Sequence, residues 1–428
     1  MPEIPSHWRG WRHGVTAGSK QSYPRGEGFV KTGLYRPFLR ARPCMLRIVL
    51  VCLMLVWSGL AAAATAIPPP RVPVAKAKAA PPVVWQAQYP LAPTHPVVTE
   101  GWSPMAAALK PAIDLHLRLL GPRIGSAEAL DALRSGVHQM GLLALASYPD
   151  MFPHWAMLNE SFLVGGESLA AAAAITELVM VECPACQDSF DRQNLVFLGT
   201  YGTDPYRLIA AAPLTGADSL AGQLVATPGS YWDRMVQDLG GSMAPIEPNP
   251  RAALAAGRAT ALIDIASALR DPKLSGRKFA ITKLSLGGYR GAGPFMVNRD
   301  AWRKLSVERR RRAFAAAAAG IVRITDAYQR NAAAALTRAM KRGVTLAAAS
   351  QDLEDAVRRF AASDRARVEV SAKARFGVDD AALFLARLQE LYDKYQVLLP
   401  KSSEHGDAIA LLTSEIFDRL DANTYGLR

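Results

Sequence analysis

Short apolar runs alternate with longer amphipathic stretches from about position 83 to position 400. The runs are rich in Val, Ile, Leu and Phe and are bounded by turn-forming residues, a pattern typical of buried strands. They lie at 83–88, 139–144, 195–199, 208–212, 224–227, 261–264 and 295–297. Because predicted strands alternate with predicted helices, the pattern indicates an α/β fold with mostly parallel sheets.

Helical spacing of apolar residues predicts helices at 102–119, 127–134, 169–181 and 383–395. One further helix is unusually long, because Ser306 can cap its start and Gly343 can end it. At about 1.5 Å per residue it would span roughly 50 Å. Such a helix is either an alanine-rich core helix with a solvated arginine face at 309–312 or a strut that joins two lobes.

The N-terminal part has the pattern of an export signal that begins at Met45. A short positive start precedes the apolar stretch 48–60, and small residues follow, with Ala64 and Ala66 fitting an A-x-A cleavage pattern. We therefore expect a signal peptide at 45–66 and a mature chain outside the cytoplasm; an uncleaved N-terminal membrane anchor is the alternative. Residues 1–44 are expected to be a disordered upstream extension.

The expected domain organisation continues with a Pro-rich linker, because the stretch 67–82 has the composition of an extended polyproline segment. The body at 83–400 shows no low-complexity break and no internal repeat. The tail at 401–428 carries one more amphipathic segment and is expected to be helical.

Composition narrows the function classes. The 428 residues include 50 Lys and Arg against 37 Asp and Glu, a formal net charge of +13. Half of the residues are hydrophobic, which excludes a wholly disordered chain, and one long apolar run is too few for a polytopic membrane protein. The basic run 309–312 lacks interleaved aromatic residues, so no nucleic-acid partner is predicted.

The local motifs of hydrolases and phosphate-binding enzymes do not occur in the sequence. There is no G-x-S-x-G, H-E-x-x-H or P-loop pattern, and the seven histidines are scattered. The sequence therefore predicts no catalytic residue, no metal site and no cofactor, and we do not expect an enzyme.

Cys183 and Cys186 have the C-x-x-C spacing of a redox disulfide. Outside the cytoplasm a closely spaced pair more often forms a structural disulfide, and we predict that bond here. A thiol–disulfide oxidoreductase that uses this pair is the alternative.

Several segments resemble, in order, the solute-binding proteins of tripartite ATP-independent periplasmic (TRAP) transporters. The similar segments are 128–153, 162–166, 218–230, 249–257 and 297–305. The resemblance implies a two-lobed periplasmic binding protein of the type II-like α/β class, with a long helix that spans both lobes. It also implies a location in the periplasm, a small-molecule ligand and delivery to the subunits of a membrane permease.

The sequence departs from the family where the family carries a carboxylate-binding arginine, because Ala226 occupies that position. Further along the chain the family carries an acidic pattern, and here the residues at 259–261, Ala-Thr-Ala, stand in its place. Either another arginine reaches the cleft or the ligand is not an ordinary small carboxylate, and we prefer the second interpretation at this point. The nearest arginines in the sequence are Arg207, Arg234, Arg251 and Arg290.

Candidate ligand-binding residues lie in loops that follow predicted strands, where ligands sit in open α/β sheets. Aromatic side chains at such positions are ranked first, because they offer stacking faces. The candidates are Gln88, Thr94 and His95 after the first strand, Tyr148 after the strand at 139–144, Ser230, Tyr231 and Trp232 after the strand with Ala226, and Asp264 at the end of the next strand. Tyr289, which precedes the strand at 295–297, and Arg207, as an arginine that could reach the cleft, complete the set.

The expected mechanism is hinge closure, in which a solute contacts both lobes and shifts the population from open to closed. We expect a first lobe at 83–208 and 290–330 and a second lobe at 209–289 and 344–400. An exported sensor or adaptor on the same scaffold, without a transport role, is the alternative function. The helix at 383–395 is expected to pack against a lobe; a homodimer seam is the minority interpretation.

Overall fold

The computed structural model describes residues 81–110, 112–119, 126–162, 166–245, 250–274, 277–400 and 404–427. The predicted extension, signal peptide and nearly all of the predicted linker lie outside these residues. No single helix in the described ranges has the length and apolarity needed to cross a bilayer. The consecutive segments Ser168–Glu182 and Pro184–Arg192, bent by 80° to each other, pass that test together.

The described strands form two sheets. They are β1 Val83–Tyr89, β2 Ile113–Leu119, β3 Met140–Leu143, β4 Leu195–Phe197, β5 Tyr206–Ala210, β6 Leu224–Ala226, β7 Ser242–Met243, β8 Ala261–Ile265, β9 Ala280–Lys283, β10 Gly293–Asn298 and β11 Thr345–Ala348. The first sheet has the order β2-β1-β3-β10-β4 and the second the order β11-β9-β5-β8-β6-β7. In each sheet one strand, β10 or β5, is antiparallel to both neighbours, and the other pairs are parallel.

Helices cover both sheets. They are α1 Ser103–Leu109, α2 Ser126–Arg134, α3 Pro153–Glu160, α4 Ser168–Glu177, α5 Pro184–Arg192, α6 Tyr231–Asp238, α7 Pro250–Ala255, α8 Arg299–Arg303, α9 Val307–Lys341, α10 Gln351–Phe376, α11 Ala381–Leu398 and α12 His405–Glu415. We call the first sheet with its helices the first lobe and the second sheet with its helices the second lobe. The predicted α/β fold with two lobes is confirmed.

The predicted long helix is α9, and it spans both lobes. The Ser306 hydroxyl accepts the Arg309 N–H at 3.3 Å, which caps the first turn. Phe314 and Ile321 of α9 pack in the core of the first lobe, whereas Ala339 packs in the core of the second. The strut interpretation of this helix is therefore the one that the structure supports.

Helix α10 joins the lobes as well. Its first half contributes Leu353 and Phe360 to a core of the second lobe, and its second half contributes Val368 and Ala372 to the core of the first. A movement of one lobe against the other therefore has to bend or shift two long helices.

The prediction of one helix over 102–119 is wrong. Helix α1 ends at Leu109, and Ile113–Leu119 is strand β2, which pairs with β1 in parallel. Pro111 in the sequence lacks an amide hydrogen and disfavours helix at the residue before it. The stretch IDLHLRL that follows also alternates apolar and polar residues with the period of a strand.

The assignment of 344–400 to the second lobe is wrong for α11. Phe384, Leu388, Leu391 and Tyr395 are buried in the core of the first lobe, where α11 packs against α4. The expectation that this helix packs against a lobe is met, but the lobe is the first, because the chain crosses back along α10.

Candidate functional site

Besides the long helices α9 and α10, two short connections carry the chain between the sheets. Residues 198–205 lead from β4 to β5, and residues 284–292 lead from β9 to β10. The connections touch, because the Tyr289 N–H donates to the Thr203 hydroxyl at 3.0 Å and the Tyr206 N–H donates to the Gly287 carbonyl at 2.8 Å. Gly287 has a φ of +77°, and a Cβ there would lie 2.4 Å from the Tyr231 hydroxyl oxygen. We call these two touching connections, 198–205 and 284–292, the floor of the space between the lobes.

Four tyrosines surround this floor, and we call Tyr201, Tyr206, Tyr289 and Tyr328 the tyrosine cluster. Tyr201 stacks on Tyr328 of α9, with ring centroids 5.7 Å apart and planes 11° apart. Tyr206 contacts Trp232 with ring centroids 4.6 Å apart. Burial raises the pKa of every member of the cluster, so these phenols are neutral over the ordinary pH range.

His95 joins the cluster from the loop after β1. Its Nδ1 accepts the Val97 N–H at 3.2 Å, which assigns the proton of the neutral ring to Nε2. Nε2 lies 3.3 Å from the Tyr328 hydroxyl oxygen. Burial lowers the pKa of His95 to about 4, so the ring carries no charge at neutral pH.

Asp204 lies in the first connection with an exposed fraction of 1 %. Its Oδ2 accepts the Ala266 N–H at 3.0 Å, whereas its Oδ1 accepts no hydrogen bond from the described residues. Burial raises the pKa of Asp204 to about 7, and the nearby Asp264 carboxylate acts in the same direction. A buried carboxyl oxygen without a partner is costly, and its presence here points to a polar group that comes from outside the chain.

The Asp204 carboxyl makes a pH prediction possible. Between about pH 4 and pH 7 the folded chain holds a proton on Asp204 that the unfolded chain has released, so this group lowers the stability as the pH rises. Over this range we expect the free energy of unfolding of the wild-type protein to fall by on the order of 2–4 kcal/mol relative to that of Asp204→Asn. Melting curves of both proteins from about pH 5 to pH 8 check this. If the melting temperatures of the two proteins changed with pH in the same way, the prediction would be wrong.

Arg207 of β5 lies on the sheet face that carries Ala226. It pairs across the sheet with Asp264 of β8, and Leu262, two residues earlier on β8, pairs with Ala226 of β6. Because partners in register and residues two apart share a face, these side chains project to the same side. Arg207 is two strands away from the alanine, or about 10 Å.

The Arg207 guanidinium makes no hydrogen bond or ion pair with any residue that the structure describes. Its register partner Asp264 is bound to Arg251 instead, with Nε–Oδ2 at 2.7 Å and Nη2–Oδ1 at 3.3 Å. Burial lowers the pKa of Arg207, and the Asp204 carboxylate raises it in part. A half-buried arginine without a counter-ion among the described residues is unusual, because burial of an unpaired charge is costly.

The other candidate arginines are engaged. Arg234 of α6 donates to Asp364 of α10 and to Glu160 of α3. Arg251 holds Asp264 and lies 3.6 Å from Asp271. Arg290 is buried, donates to the Ser161 carbonyl at 2.8 Å, and has its pKa lowered by burial. Arg207 is therefore the candidate with a free guanidinium.

Among the predicted binding residues, His95, Arg207, Asp264 and Tyr289 lie around the floor between the lobes. Whether they contact a solute stays a prediction. Tyr201 and Asp204, in the short segment between β4 and β5, and Tyr206, the first residue of β5, were not predicted. The strand-end rule that selected His95 would have found Tyr201 and Asp204. Tyr328, in the long helix, was not among the predicted binding residues either.

Other predicted binding residues have structural partners. Gln88 is buried in the first lobe and donates to the Ala129 carbonyl at 2.5 Å, and Thr94 is exposed in the turn before His95. Tyr148 packs edge-on against Phe152.

The three predicted residues around the start of α6 also bond to the chain. The Ser230 hydroxyl donates to the Asn159 carbonyl at 3.1 Å. Tyr231 and Trp232 are buried and donate to the same carbonyl of Leu286, at 3.3 Å and 2.8 Å. Their hydrogen bonds hold the second connection, and Trp232 contacts the tyrosine cluster through Tyr206.

No group of three or more His, Cys, Asp or Glu suited to a metal ion occurs among the described residues. The predicted Cys183–Cys186 disulfide is present at the start of α5, with both residues buried. It joins residues that are three apart in the sequence, so it closes a short loop. The pair opens a helix, but its burial leaves little access for an attacking thiolate.

The disulfide should matter for stability and not for the cleft. Replacing both Cys183 and Cys186 by serine is expected to lower the free energy of unfolding by about 2 kcal/mol, as for a short closed loop. Solute affinity of the folded double variant is expected to equal that of wild type. Urea unfolding and a binding titration measure the two quantities. Loss of binding in a folded variant would contradict the structural role.

Comparison of the sequence with models of protein families and with curated proteins finds no match. Solved structures do match. A TRAP periplasmic solute-binding protein from Bordetella bronchiseptica with bound (R)- and (S)-mandelate is 22% identical, with a TM-score of 0.57 over 73% of this chain and 99% of that one. One from Desulfovibrio salexigens is 16% identical, with a TM-score of 0.62 over 74% and 98%.

A third similar structure is the periplasmic ectoine-binding protein of the TeaABC TRAP transporter of Halomonas elongata. It is 12% identical, with a TM-score of 0.57 over 73% of this chain and 99% of that one. These likenesses run through nearly the whole of each matched chain. The chain therefore has the fold of the TRAP periplasmic solute-binding proteins.

Proposed function

We propose that the protein is an extracytoplasmic solute-binding protein that captures a small organic solute between its lobes and delivers it to a TRAP-type membrane permease. The observation that carries this proposal is Arg207, a half-buried arginine without a partner among the described residues, on the sheet face where the family carries its arginine. It supports the first of the two interpretations of Ala226, in which another arginine reaches the cleft.

Capture by hinge closure fits the arrangement of the site. Arg207 belongs to the second lobe, whereas His95, Tyr201 and Tyr328 pack with the first. A solute that is bound by groups from both lobes favours the closed form, because it gains its full set of contacts only there. The two connections at 198–205 and 284–292 are the places where the backbone would absorb the movement.

The proteins of similar structure support a periplasmic location and a membrane permease as the partner. They are periplasmic and belong to TRAP transporters. A periplasmic location and a permease partner for this chain follow from that likeness and from the predicted signal peptide. The solute-loaded, closed form is the species expected to dock on the permease. The sensor or adaptor alternative has no feature of the described residues in its favour.

The proposal is tested by thermal shift with benzoate, mandelate, pyroglutamate and ectoine. A bound solute at about one hundred times its Kd stabilises the folded protein by about 2.7 kcal/mol. We expect at least one of these acids to raise the Tm of wild-type protein and of Arg312→Gln, which alters an exposed arginine paired with Glu308. Arg207→Gln should show no shift. No stabilisation of wild type by any of the four would contradict the proposal.

A further inference from the structure

We infer that the solute is a small zwitterion, whose carboxylate pairs with Arg207 and whose positively charged nitrogen lies against Oδ1 of Asp204. This inference rests on the proposed function and deepens it, because it names the class of solute. The geometry that points to it is the presence of two groups of opposite charge, the buried Oδ1 of Asp204 and the half-buried Arg207 guanidinium, each without a hydrogen-bond partner among the described residues.

Asp204 and Arg207 do not satisfy each other. They are close enough to interact electrostatically, yet no ion pair within 4.0 Å joins them. The Ala266 N–H holds Oδ2 of Asp204 at 3.0 Å, which fixes the carboxyl and leaves Oδ1 for another donor. Their charged atoms therefore lie more than 4.0 Å apart, and a group could contact both once the lobes move apart to admit it.

The neighbouring polar groups are already used. Asp264 is bound to Arg251, and its Oδ1 also accepts the Ile265 N–H at 2.7 Å. Both ring nitrogens of His95 have partners, Val97 N–H and the Tyr328 hydroxyl. The unmatched requirement is therefore one anion for Arg207 and one hydrogen-bond donor or cation for Asp204.

The charge balance selects among solute classes. A monoanion would satisfy Arg207 and place a second negative charge beside Asp204, and a monocation would satisfy Asp204 alone. A neutral solute would leave both charges buried without compensation, which is unfavourable. A zwitterion satisfies both groups and leaves the closed cleft electrically neutral.

The aromatic side chains near Asp204 are suited to the positively charged nitrogen of the proposed solute. Tyr206 and Tyr328 both lie near enough to Asp204 to be affected by its charge. Aromatic faces attract ammonium and similar cations, and a carboxylate among aromatic rings is the usual setting for such a group. Arg207 would bind the carboxylate of the same solute through paired N–H donors.

The test uses two pairs of solutes that match in shape and differ in charge. Trigonelline is compared with 3-methylbenzoate, and glycine betaine with 3,3-dimethylbutanoate; each pair replaces a positive nitrogen by carbon. By calorimetric titration of wild-type protein at about pH 8, where Asp204 is ionised, the zwitterion of at least one pair should bind about tenfold or more tightly than its isostere.

Two variants test which residues cause the preference for the zwitterion. In Asp204→Asn the amide oxygen has to accept the Ala266 N–H, so its NH₂ group faces the solute and the preference for the zwitterion should disappear. In Arg207→Gln both members of each pair should weaken. Arg312→Gln should bind as wild type does. Because Asp204→Asn could affect folding, the preference of wild type is also measured at about pH 5.5, where protonation of Asp204 should reduce it.

The outcomes separate the inference from the proposed function. Equal or tighter binding of the monoanions, still dependent on Arg207, would overturn the zwitterion inference and leave the proposed function standing. A zwitterion preference that persists in Asp204→Asn and at about pH 5.5 would also overturn it. Binding of neither member of either pair would overturn the zwitterion inference, whereas the proposed function is decided by the thermal-shift test with the four other solutes.

Discussion

Replacing Arg207 by glutamine should weaken solute binding by about two orders of magnitude, or roughly 3 kcal/mol. Glutamine keeps the length of the side chain approximately but loses the positive charge and the paired N–H donors that bind a carboxylate. Nothing else among the described residues can take over, because Arg234, Arg251 and Arg290 have partners of their own. Calorimetric titration with the tightest solute from the screen measures the loss.

Two further variants control the Arg207 experiment. Arg207→Lys keeps the charge without the planar fork, and we expect an intermediate loss of about tenfold. Arg312→Gln removes an exposed arginine of α9 and should leave the Kd unchanged. If Arg207→Gln bound within twofold of wild type, the carboxylate anchor would have to be sought elsewhere.

Replacing Arg234 by alanine should lower the free energy of unfolding by about 3–5 kcal/mol. The Arg234 guanidinium donates Nε to Asp364 at 2.6 Å and Nη1 to Glu160 at 2.5 Å, and its Nη2 reaches the Glu160 carbonyl and Asp364 as well. The Asp364 side chain has an exposed fraction of 0 %, and that of Glu160 is 10 %. Alanine would leave two buried carboxylates without their main counter-ion.

Urea unfolding of the solute-free protein measures this loss. The matched control is Arg358→Ala on α10, whose partners Glu354 and Asp355 are exposed residues of the same helix. Surface pairs of this kind contribute little, so the control should unfold as wild type does. Equal loss in both variants would contradict the structural role of the network among α3, α6 and α10.

Much of the fold could be predicted because its signals are local. The strand runs and the helix between Ser306 and Gly343 depend on periodicity and caps that lie within each element. The error at 102–119 came from giving too little weight to one proline and to a strand-like alternation after it. The error over α11 has a different cause, because the sequence shows that Phe384 and Leu388 are buried but not which of two cores they enter.

The candidate site was predictable only in part. Strand-end positions gave His95, Asp264 and Tyr289, and the same rule would have given Asp204. Which arginine is free could not be read from the sequence, because pairing depends on residues far along the chain. Arg234 is satisfied by Glu160 and Asp364, which are 74 and 130 residues away. The preference for a ligand other than an ordinary small carboxylate rested on Ala226 and on 259–261. It did not anticipate that Arg207 has no partner among the described residues.

A crystal structure of the protein with its tightest solute tests the central claim most directly. The account predicts density between the two sheets, with the solute carboxylate about 3 Å from the Arg207 guanidinium and the tyrosine cluster around it. Solute bound outside this cleft, or inside it with its carboxylate held by another group and Arg207 untouched, would contradict the account.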